Sequence, residues 1–292
     1  REKLRAARGL RTAPFVDRTR YVGWNAMLAS ALFRAGIQLD DRWDRDHALR
    51  SLERIRRGSA EPDAVPHVAG GIDGLLDDQV QVAAAALDAY EATGQATWLA
   101  WAEALMERVW RDYRDGSAGG LFDVARARGG EGLLTGRTKP IQDSPTPSPN
   151  GVAALTTARL AALAGAVPWQ ARHLELVRAF GGEAARLGLF GATFIRALEW
   201  ALLPVSHLVV VGPPGDLEAD RMHRRALSTF IPRKAVHRLT GAPDGRSLPP
   251  ALRAMVGAAA PRAYACRGET CQAPVTDDAA WAITLADLRP AR

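Results

Sequence analysis

The segment LDDQVQVAAAALDAYEATGQATWLAWAEALMERVW, residues 76–110, determines the fold class of this chain. Its apolar residues recur with the period of an α-helix on both sides of Thr93-Gly94, and a glycine there is a typical helix stop. We therefore predict two helices, Leu76–Thr93 and Ala96–Tyr113, separated by a tight turn. Helices joined by so short a link pack antiparallel as an α-hairpin.

The same helical period continues through most of the first 203 residues. Short links join the helices of each pair, whereas the links between pairs are long and rich in glycine and proline. In a toroid of hairpins this alternation places all long links on one face, which would hold a ligand; alternatively, the long links are merely tolerated insertions. The other predicted helices are Tyr21–Ala35, Arg42–Arg56, Gly151–Ala164, Trp169–Arg186 and Ala192–Leu203, and the long links are Gly58–Gly74 and Asp115–Asn150.

The pattern changes after Pro204, where the β-branched run Ser206–Val211 predicts a strand. We predict two domains, a helical part over residues 1–203 and a small α/β module over residues 204–292. The fold class is therefore mainly α, with a small C-terminal α/β module. The module's other predicted elements are a helix over Asp216–Phe230, strands Ala235–Leu239 and Ala263–Cys266, and a closing helix Asp277–Leu288; in the second long link, Gly119–Asp123 and Leu133–Thr135 predict a β-hairpin.

The charge pattern argues against a nucleic-acid partner, although the net charge is +6. Only Lys3, Lys139 and Lys234 are lysines among 38 basic residues, and the arginines are scattered among acidic residues. So extreme a preference for arginine indicates a biased genomic base composition rather than a surface built for phosphates.

No segment predicts contact with a membrane. The apolar runs, such as Val82–Leu87, are far shorter than the roughly 20 residues that a membrane-spanning helix needs. The basic segment Arg1–Arg11 is not followed by the apolar stretch of a signal peptide. We therefore expect a cytoplasmic protein, and the start at Arg1 rather than Met suggests a fragment or a processed product.

Seven short motifs occur in an order that resembles one family. They are Asp17 with Trp24–Met27, Leu76-Asp77-Asp78, Gly119–Asp123, Arg137–Asp143, Pro147–Asn150, Val209–Gly212 and Cys266–Val275. Together they resemble the spermatogenesis-associated protein 20-like thioredoxin-domain proteins, from about Lys3 to the C-terminus. The chain departs from the family pattern at Arg18, Thr19 and Pro149, where the family has Asp, Lys and Gly.

The resemblance implies about half of an (α/α)₆ toroid of the six-hairpin glycosidase or epimerase type. In the full-length proteins of this family a thioredoxin-like domain precedes the toroid, and that domain is absent here. The family's usual labels are carbohydrate metabolism and a redox role. The implied partners are therefore a sugar ligand and a thioredoxin-like domain or the missing N-terminal half. That half, or a second copy of the chain, would cover the open side of the half toroid.

Asp77 and Asp78 are the candidate catalytic residues, since they begin a helix at the predicted ligand face. Glycoside hydrolysis uses two carboxyl groups on either side of the scissile bond, so Asp123 or Asp143 would supply the partner. The alternative is electrostatic, because carboxylates near a helix N-terminus offset the helix dipole, each by roughly 0.3–1 kcal/mol.

Trp24, Asn25 and Asn150 complete the candidate sugar-binding set, with Asp123 and Asp143. Trp24 would stack on a pyranose ring while Asn25 bonds its hydroxyls; the alternative is a core aromatic, with a buried Asn25 that needs partners. Asn150 follows Pro149, and its simplest alternative role is a helix N-cap.

Cys266 and Cys271 form the pattern C-x₄-C, which is neither the redox C-x-x-C motif nor a complete zinc set. The pair is a redox candidate, either as a disulfide or as thiols serving a thioredoxin-like domain; the favoured alternative is two structural thiols. The histidines lack metal-ligand spacing, and Gly212–Gly215 lacks the pattern of a phosphate loop. The sequence thus predicts neither a metal nor a cofactor.

The leading function predicted from these features is a carbohydrate-binding or carbohydrate-processing domain, and the sequence assigns no reaction to it. The first alternative is a non-catalytic scaffold or redox-partner module for a thioredoxin-like domain. The second is a degenerate pseudoenzyme, which the departures at Arg18, Thr19 and Pro149 would explain.

Overall fold

A computed structural model describes residues 1–72, 74–128, 136–240, 252, 255, 261–268 and 270–289. Helical hairpins followed by a small α/β module make up the chain, as predicted. The helices of the first part are α1 Glu2–Gly9, α2 Val22–Gln38, α3 Arg42–Gly58, α4 Leu76–Thr93, α5 Ala96–Asp112, α6 Pro149–Ala164, α7 Val167–Phe180, α8 Ala184–Leu187 and α9 Ala192–Leu202.

Two helices depart from the sequence-based expectation. The exposed helix α1 was not predicted, because it buries no apolar residue and so lacks an amphipathic pattern. Helix α7 was expected to continue to Arg186, but it ends at Phe180 before Gly181-Gly182, where two glycines lower the helix propensity. The short helix α8 follows as a separate turn.

The helices stand in two rows. In the front row α4 packs between α2 and α6, and α6 packs in turn against α9; the back row consists of α3, α5 and α7, each paired with the helix before it. Every front-row helix follows a longer connection, and every back-row helix follows a short one. The N-termini of the front row therefore lie at one end of the helical part, together with the long connections, and we call this the long-loop end.

Helix α4 is the centre of this arrangement. Residues on nearly all its sides are buried, and the alanines 83, 85, 86 and 89 let its neighbours approach closely. It ends where predicted, at Gly94, whose backbone is left-handed with φ 70°. A Cβ at Gly94 would lie 2.7 Å from the carbonyl oxygen of Arg238, so glycine also permits the contact with the α/β module.

The α/β module begins at Ser206, immediately after the helical part. Its sheet has the strand order β2-β1-β3-β4; β1 is parallel to β2 across a helical crossover and antiparallel to β3. Two apolar clusters, one containing Trp281 and one containing Leu252, cover the two faces of the sheet. The elements are β1 Ser206–Val211, α10 Leu217–Ser228, β2 Lys234–Leu239, β3 Arg262–Arg267, β4 Thr270–Cys271 and α11 Asp278–Asp287.

The predicted hairpin in the long connection is only partly within the described residues. Leu133–Thr135 lies outside them. Leu121 instead bridges to Arg114, directly after α5, and the N–H of Phe122 donates to the carbonyl of Tyr113 at 2.9 Å. The start of this connection therefore folds back on the end of α5.

In the described part of the chain, no helix combines the length and the apolar character that crossing a bilayer requires.

Candidate functional site

The residues that the sequence assigns to a ligand face all lie at the long-loop end. They occupy the first turns of front-row helices or the connection that leads from α5 to α6. On helices these are Trp24 and Asn25 of α2, Asp77 and Asp78 of α4, and Asn150 of α6; Asp123 and Asp143 belong to the connection.

Asp78 joins three parts of the long-loop end. Its Oδ1 accepts a hydrogen bond from the N–H of Gly23 at 3.0 Å, and its Oδ2 accepts from the N–H of Leu75 at 2.9 Å. Nδ1 of His67 lies 2.8 Å from the same Oδ2. A Cβ at Gly23 would lie 3.0 Å from Oδ1, so glycine allows this close approach. The arrangement favours the capping interpretation of Asp78 over a catalytic one.

Asp77 differs from its neighbour. Oδ1 accepts a hydrogen bond from Nε2 of Gln81 at 3.2 Å, while Oδ2 accepts none from the described residues. Burial raises the pKa of Asp77, and the charge of Asp78 raises it further, against the hydrogen bond from Gln81. Of the two carboxyl groups, this one retains an oxygen for a ligand, and a raised pKa suits a proton donor.

Trp24 is not a core residue, since 60% of its surface is exposed. Its ring packs against Tyr21, with 4.8 Å between centroids, and Tyr21 lies 5.2 Å from the ring of His67. The alternative of a core aromatic is therefore wrong. Asn25 is also exposed, and its Nδ2 donates to the carbonyl of Tyr21 at 2.7 Å.

The first turn of α2 lies close to the first turn of α4. A Cβ built on Gly23, the residue before Trp24, would be 3.6 Å from Oδ2 of Asp77. The long-loop end thus combines an exposed aromatic surface with a partly buried carboxylate.

Asp123 and Asp143 use both of their oxygens within the protein. Asp123 accepts from the N–H and the hydroxyl of Thr138 at 2.9 Å and 2.6 Å. Asp143 accepts from the N–H of Ser148 at 2.7 Å and from the N–H of Thr193 at 2.8 Å. Because Ser148 and Thr193 begin α6 and α9, Asp143 joins those two helices as Asp78 joins α2 and α4.

Asn150 is fully buried and does not cap α6. Its Oδ1 accepts from the N–H of Leu121, and its Nδ2 donates to the carbonyls of Leu121 and Pro140, each at 2.9 Å. The cap is Ser148, whose Oγ accepts from the N–H of Gly151 at 3.3 Å. The N-cap interpretation of Asn150 was therefore wrong: this side chain fastens the long connection to α6.

A charged cluster that the sequence analysis missed lies further along the front row. Nη2 of Arg159 donates to Oδ1 of Asp88 at 2.7 Å and to Oε2 of Glu91 at 2.6 Å. Oε1 of Glu91 accepts from the N–H of Val236 in β2 at 3.0 Å. The cluster therefore ties α4 and α6 to the α/β module.

The spacing of polar residues on α4 contains a signal for this cluster. Asp77, Gln81, Asp88 and Glu91 are separated by four, seven and three residues, which places them on one face of the helix. We call these residues the polar stripe. On a helix that is otherwise almost wholly apolar, such a stripe indicates a polar surface between helices rather than a solvated face.

The two cysteines are paired. Cys266 of β3 lies directly opposite Cys271 of β4 in the antiparallel register, and their sulfurs form a disulfide. The favoured expectation of two structural thiols is thus corrected, because a tight strand turn sets the two residues face to face. Cys266 is buried and Cys271 is exposed.

Within the described ranges, no group of three or more histidine, cysteine, aspartate and glutamate side chains is placed to hold a metal ion.

Comparison with known proteins confirms the resemblance that the motifs indicate. The chain is similar over 94% of its length to spermatogenesis-associated protein 20 of Homo sapiens, with 27% identity, of Rattus norvegicus, with 26%, and of Mus musculus, with 25%. It spans 37% of the length of each of these relatives. No protein-family model matches the chain.

Proposed function

We propose that this chain binds a carbohydrate at the long-loop end of its front row. The observation that carries the proposal is that the long-loop end holds both an exposed Trp24 ring and Asp77, whose Oδ2 has no partner among the described residues. An indole face packs well on the apolar face of a sugar ring, and a carboxylate oxygen accepts hydrogen bonds from sugar hydroxyls.

Binding is better supported than hydrolysis. A glycosidase needs a second carboxyl group across the scissile bond. Asp78, Asp123 and Asp143 are the other carboxylates predicted at this end, and each already accepts hydrogen bonds on both oxygens. Asp77 alone would supply a proton donor without the matching base or nucleophile.

The front row would form the inner wall of half a helical toroid. Several apolar side chains of its helices remain uncovered, among them Leu28 and Leu202, which are 54% and 71% exposed. The remaining hairpins of a longer protein would cover them, in keeping with the greater length of the relatives. The toroid and its missing half are part of this proposal.

Calorimetric titration with a panel of neutral mono- and oligosaccharides tests the proposal. We expect saturable binding that weakens about five- to tenfold in Trp24→Ala, since loss of an aromatic stacking surface costs on the order of 1–1.5 kcal/mol. Asp77→Asn should weaken it as well, because the amide replaces one acceptor oxygen by a donor.

Matched controls lie on the back row. Trp43 is 62% exposed in the first turn of α3, where it stacks on His47, so Trp43→Ala removes a comparable ring away from the site. Asp44→Asn in the same turn controls for Asp77→Asn. Asp78→Asn does not test the site, because its new amide would face the N–H of Leu75 and destabilise the helix start. Failure of every sugar to bind, or equal losses in Trp43→Ala, would refute the proposal.

The disulfide supports a second candidate function, as a redox partner. A dithiol of a thioredoxin-like domain would attack the Sγ of the exposed residue Cys271, and Cys266 would leave as a thiolate. The second partner thiol would then resolve the mixed disulfide, leaving the partner oxidised and this pair reduced.

Thiol titration before and after treatment with a reduced thioredoxin tests this second function. We expect no free thiol before treatment and two per chain afterwards, at a rate far above that with dithiothreitol at an equal thiol concentration. A rate no greater than with dithiothreitol would leave the disulfide a structural one.

A further inference from the structure

A cavity lies toward the C-terminal ends of the front-row helices, away from the long-loop end. It has a volume of about 540 Å³ and is closed on one side by the connection from α10 to β2. Five basic and three acidic side chains line it, an excess of two positive charges. The basic residues are Arg34, Arg159, Arg196, Arg233 and Lys234, and the acidic ones are Asp88, Glu91 and Glu199.

Each acidic side chain of the cavity accepts a hydrogen bond from one of two arginines. Asp88 and Glu91 both accept hydrogen bonds from Arg159. Glu199 pairs with Arg233. Three cations of the wall therefore lack a hydrogen-bonded carboxylate.

Arg196 has the least compensation of the three. It forms no hydrogen bond or ion pair with any described residue. Arg196 as a whole is exposed, but its pKa is lowered, first by partial desolvation of the guanidinium and then by the positive charges of Arg34 and Arg159, while Asp88 and Glu199 oppose this only in part. A guanidinium in such surroundings presents free donors and would gain from a bound anion.

The other two cations add charge to the same space. Arg34 lies 3.6 Å from Oδ2 of Asp88, beyond a hydrogen bond, and its side chain is 63% exposed. Nζ of Lys234 donates to the carbonyls of Ala226, Leu227 and Thr229 at 2.6–2.8 Å, which fixes its position. The positive side chains thus come from α2, from α9 and from the start of β2.

We propose that this cavity binds the phosphate or carboxylate group of a small organic ligand, with Arg196 as its main donor. Its volume is that of a small-molecule site. Leu155, Trp200 and Phe230 give the wall apolar surface for the ligand's carbon skeleton. An acidic sugar is the ligand class that follows if the proposed carbohydrate function holds; the anion site itself does not depend on that function.

The two sites are separate enough to be tested separately. Asp77 and Asp88 lie on the same face of α4, and their separation of eleven residues corresponds to about 16 Å along the helix. A change at Arg196 should therefore leave the long-loop end intact.

Titration calorimetry with inorganic phosphate, glucose 6-phosphate, glucuronate and glucose tests the anion site. We expect phosphate or glucuronate, or both, to bind with an affinity that falls about tenfold or more in Arg196→Gln, the usual effect of losing a charged hydrogen bond. The affinity should also fall with rising salt. Binding by phosphate alone assigns a phosphoryl group, and binding by glucuronate alone assigns a carboxylate.

Arg178→Gln is the matched control, because Arg178 is exposed on the back-row helix α7 and also lacks an ion pair among the described residues. No binding by either anion, or equal losses in both variants, would overturn the proposal. If anions bind through Arg196 while neutral sugars fail to bind at Trp24, the anion site stands and the carbohydrate function fails. The reverse result would remove the anion site alone.

Discussion

Arg159→Met is expected to lower the free energy of unfolding by about 3–5 kcal/mol, the usual cost of breaking a buried ion pair on one side. Burial opposes the charge of Arg159, but the carboxylates of Asp88 and Glu91 outweigh it and raise the pKa of this guanidinium. Without the arginine, both carboxylates would remain in a largely buried position with no cation hydrogen-bonded to them. Urea denaturation followed by circular dichroism measures the loss.

An exposed ion pair provides the control. Arg42 lies 3.4 Å from Asp46 on the surface of α3, with most of its side chain in solvent, so Arg42→Met should cost less than about 1 kcal/mol. Adding Asp88→Asn and Glu91→Gln to Arg159→Met should recover part of the loss, since no buried charge is then left unpaired. If Arg159→Met and Arg42→Met had equal free energies of unfolding, water would be shown to solvate the carboxylates of Asp88 and Glu91 in place of the arginine.

The sequence was sufficient to predict the helical hairpins, because their periodicity and their stops are local signals. The predicted bounds of Leu76–Thr93 agree with those of α4, and glycine at the end fixes the turn. The links between helices were equally informative, since their alternation correctly placed the front-row N-termini at one end. Neither inference required knowledge of distant contacts.

The roles of individual side chains could not be predicted, because they depend on which helix comes to lie beside them. Asp77 and Asp78 are adjacent in sequence and equivalent in any helix-dipole argument. The approach of Gly23 on α2 makes Asp78 a structural acceptor and leaves Asp77 an open oxygen. The alternative role of Asn150 as an N-cap was wrong for the same reason. Its partner Leu121 lies 29 residues away in the sequence.

The cluster around Arg159 was missed for another reason. An arginine on an otherwise apolar helix is usually taken as part of a solvated face. The polar stripe is the sequence signal that the polar faces of α4 and α6 meet. It lies on α4, however, whereas Arg159 lies on α6. The charged cavity beside it could not be foreseen, since the connection from α10 to β2 closes it.

Acidification from about pH 6.5 to pH 4 is expected to destabilise the chain, chiefly through His223. Burial lowers the pKa of His223 to about 4, from an ordinary value of 6.5. A hydrogen bond to the carbonyl of Glu91 and the charge of Asp220 oppose the shift, and Arg238 adds to it. His173 is also buried and His207 is partly buried, and desolvation lowers the pKa of each.

The sign follows from proton uptake. Below about pH 6.5 the unfolded chain binds a proton at His223 that the folded chain does not, so the free energy of unfolding falls as the pH falls. The loss ends near pH 4, where the folded chain is protonated as well, and amounts to about 3 kcal/mol for this residue. Burial raises the pKa of Asp77, Asp78 and Glu103, so near pH 4 the folded chain takes up protons at these groups before the unfolded chain does. This uptake reduces the fall of the unfolding free energy near pH 4.

Comparison of His223→Gln with the native chain isolates the contribution of His223. Glutamine keeps a donor for the carbonyl of Glu91 but does not titrate, so the unfolding free energy of His223→Gln should depend less steeply on pH between about 6.5 and 4. Urea denaturation at a series of pH values gives the two slopes. His47→Gln on the back row is the control for replacing a histidine by glutamine elsewhere in the chain. Equal slopes in His223→Gln and the native chain would mean that His223 takes up its proton as readily in the folded chain as in the unfolded chain.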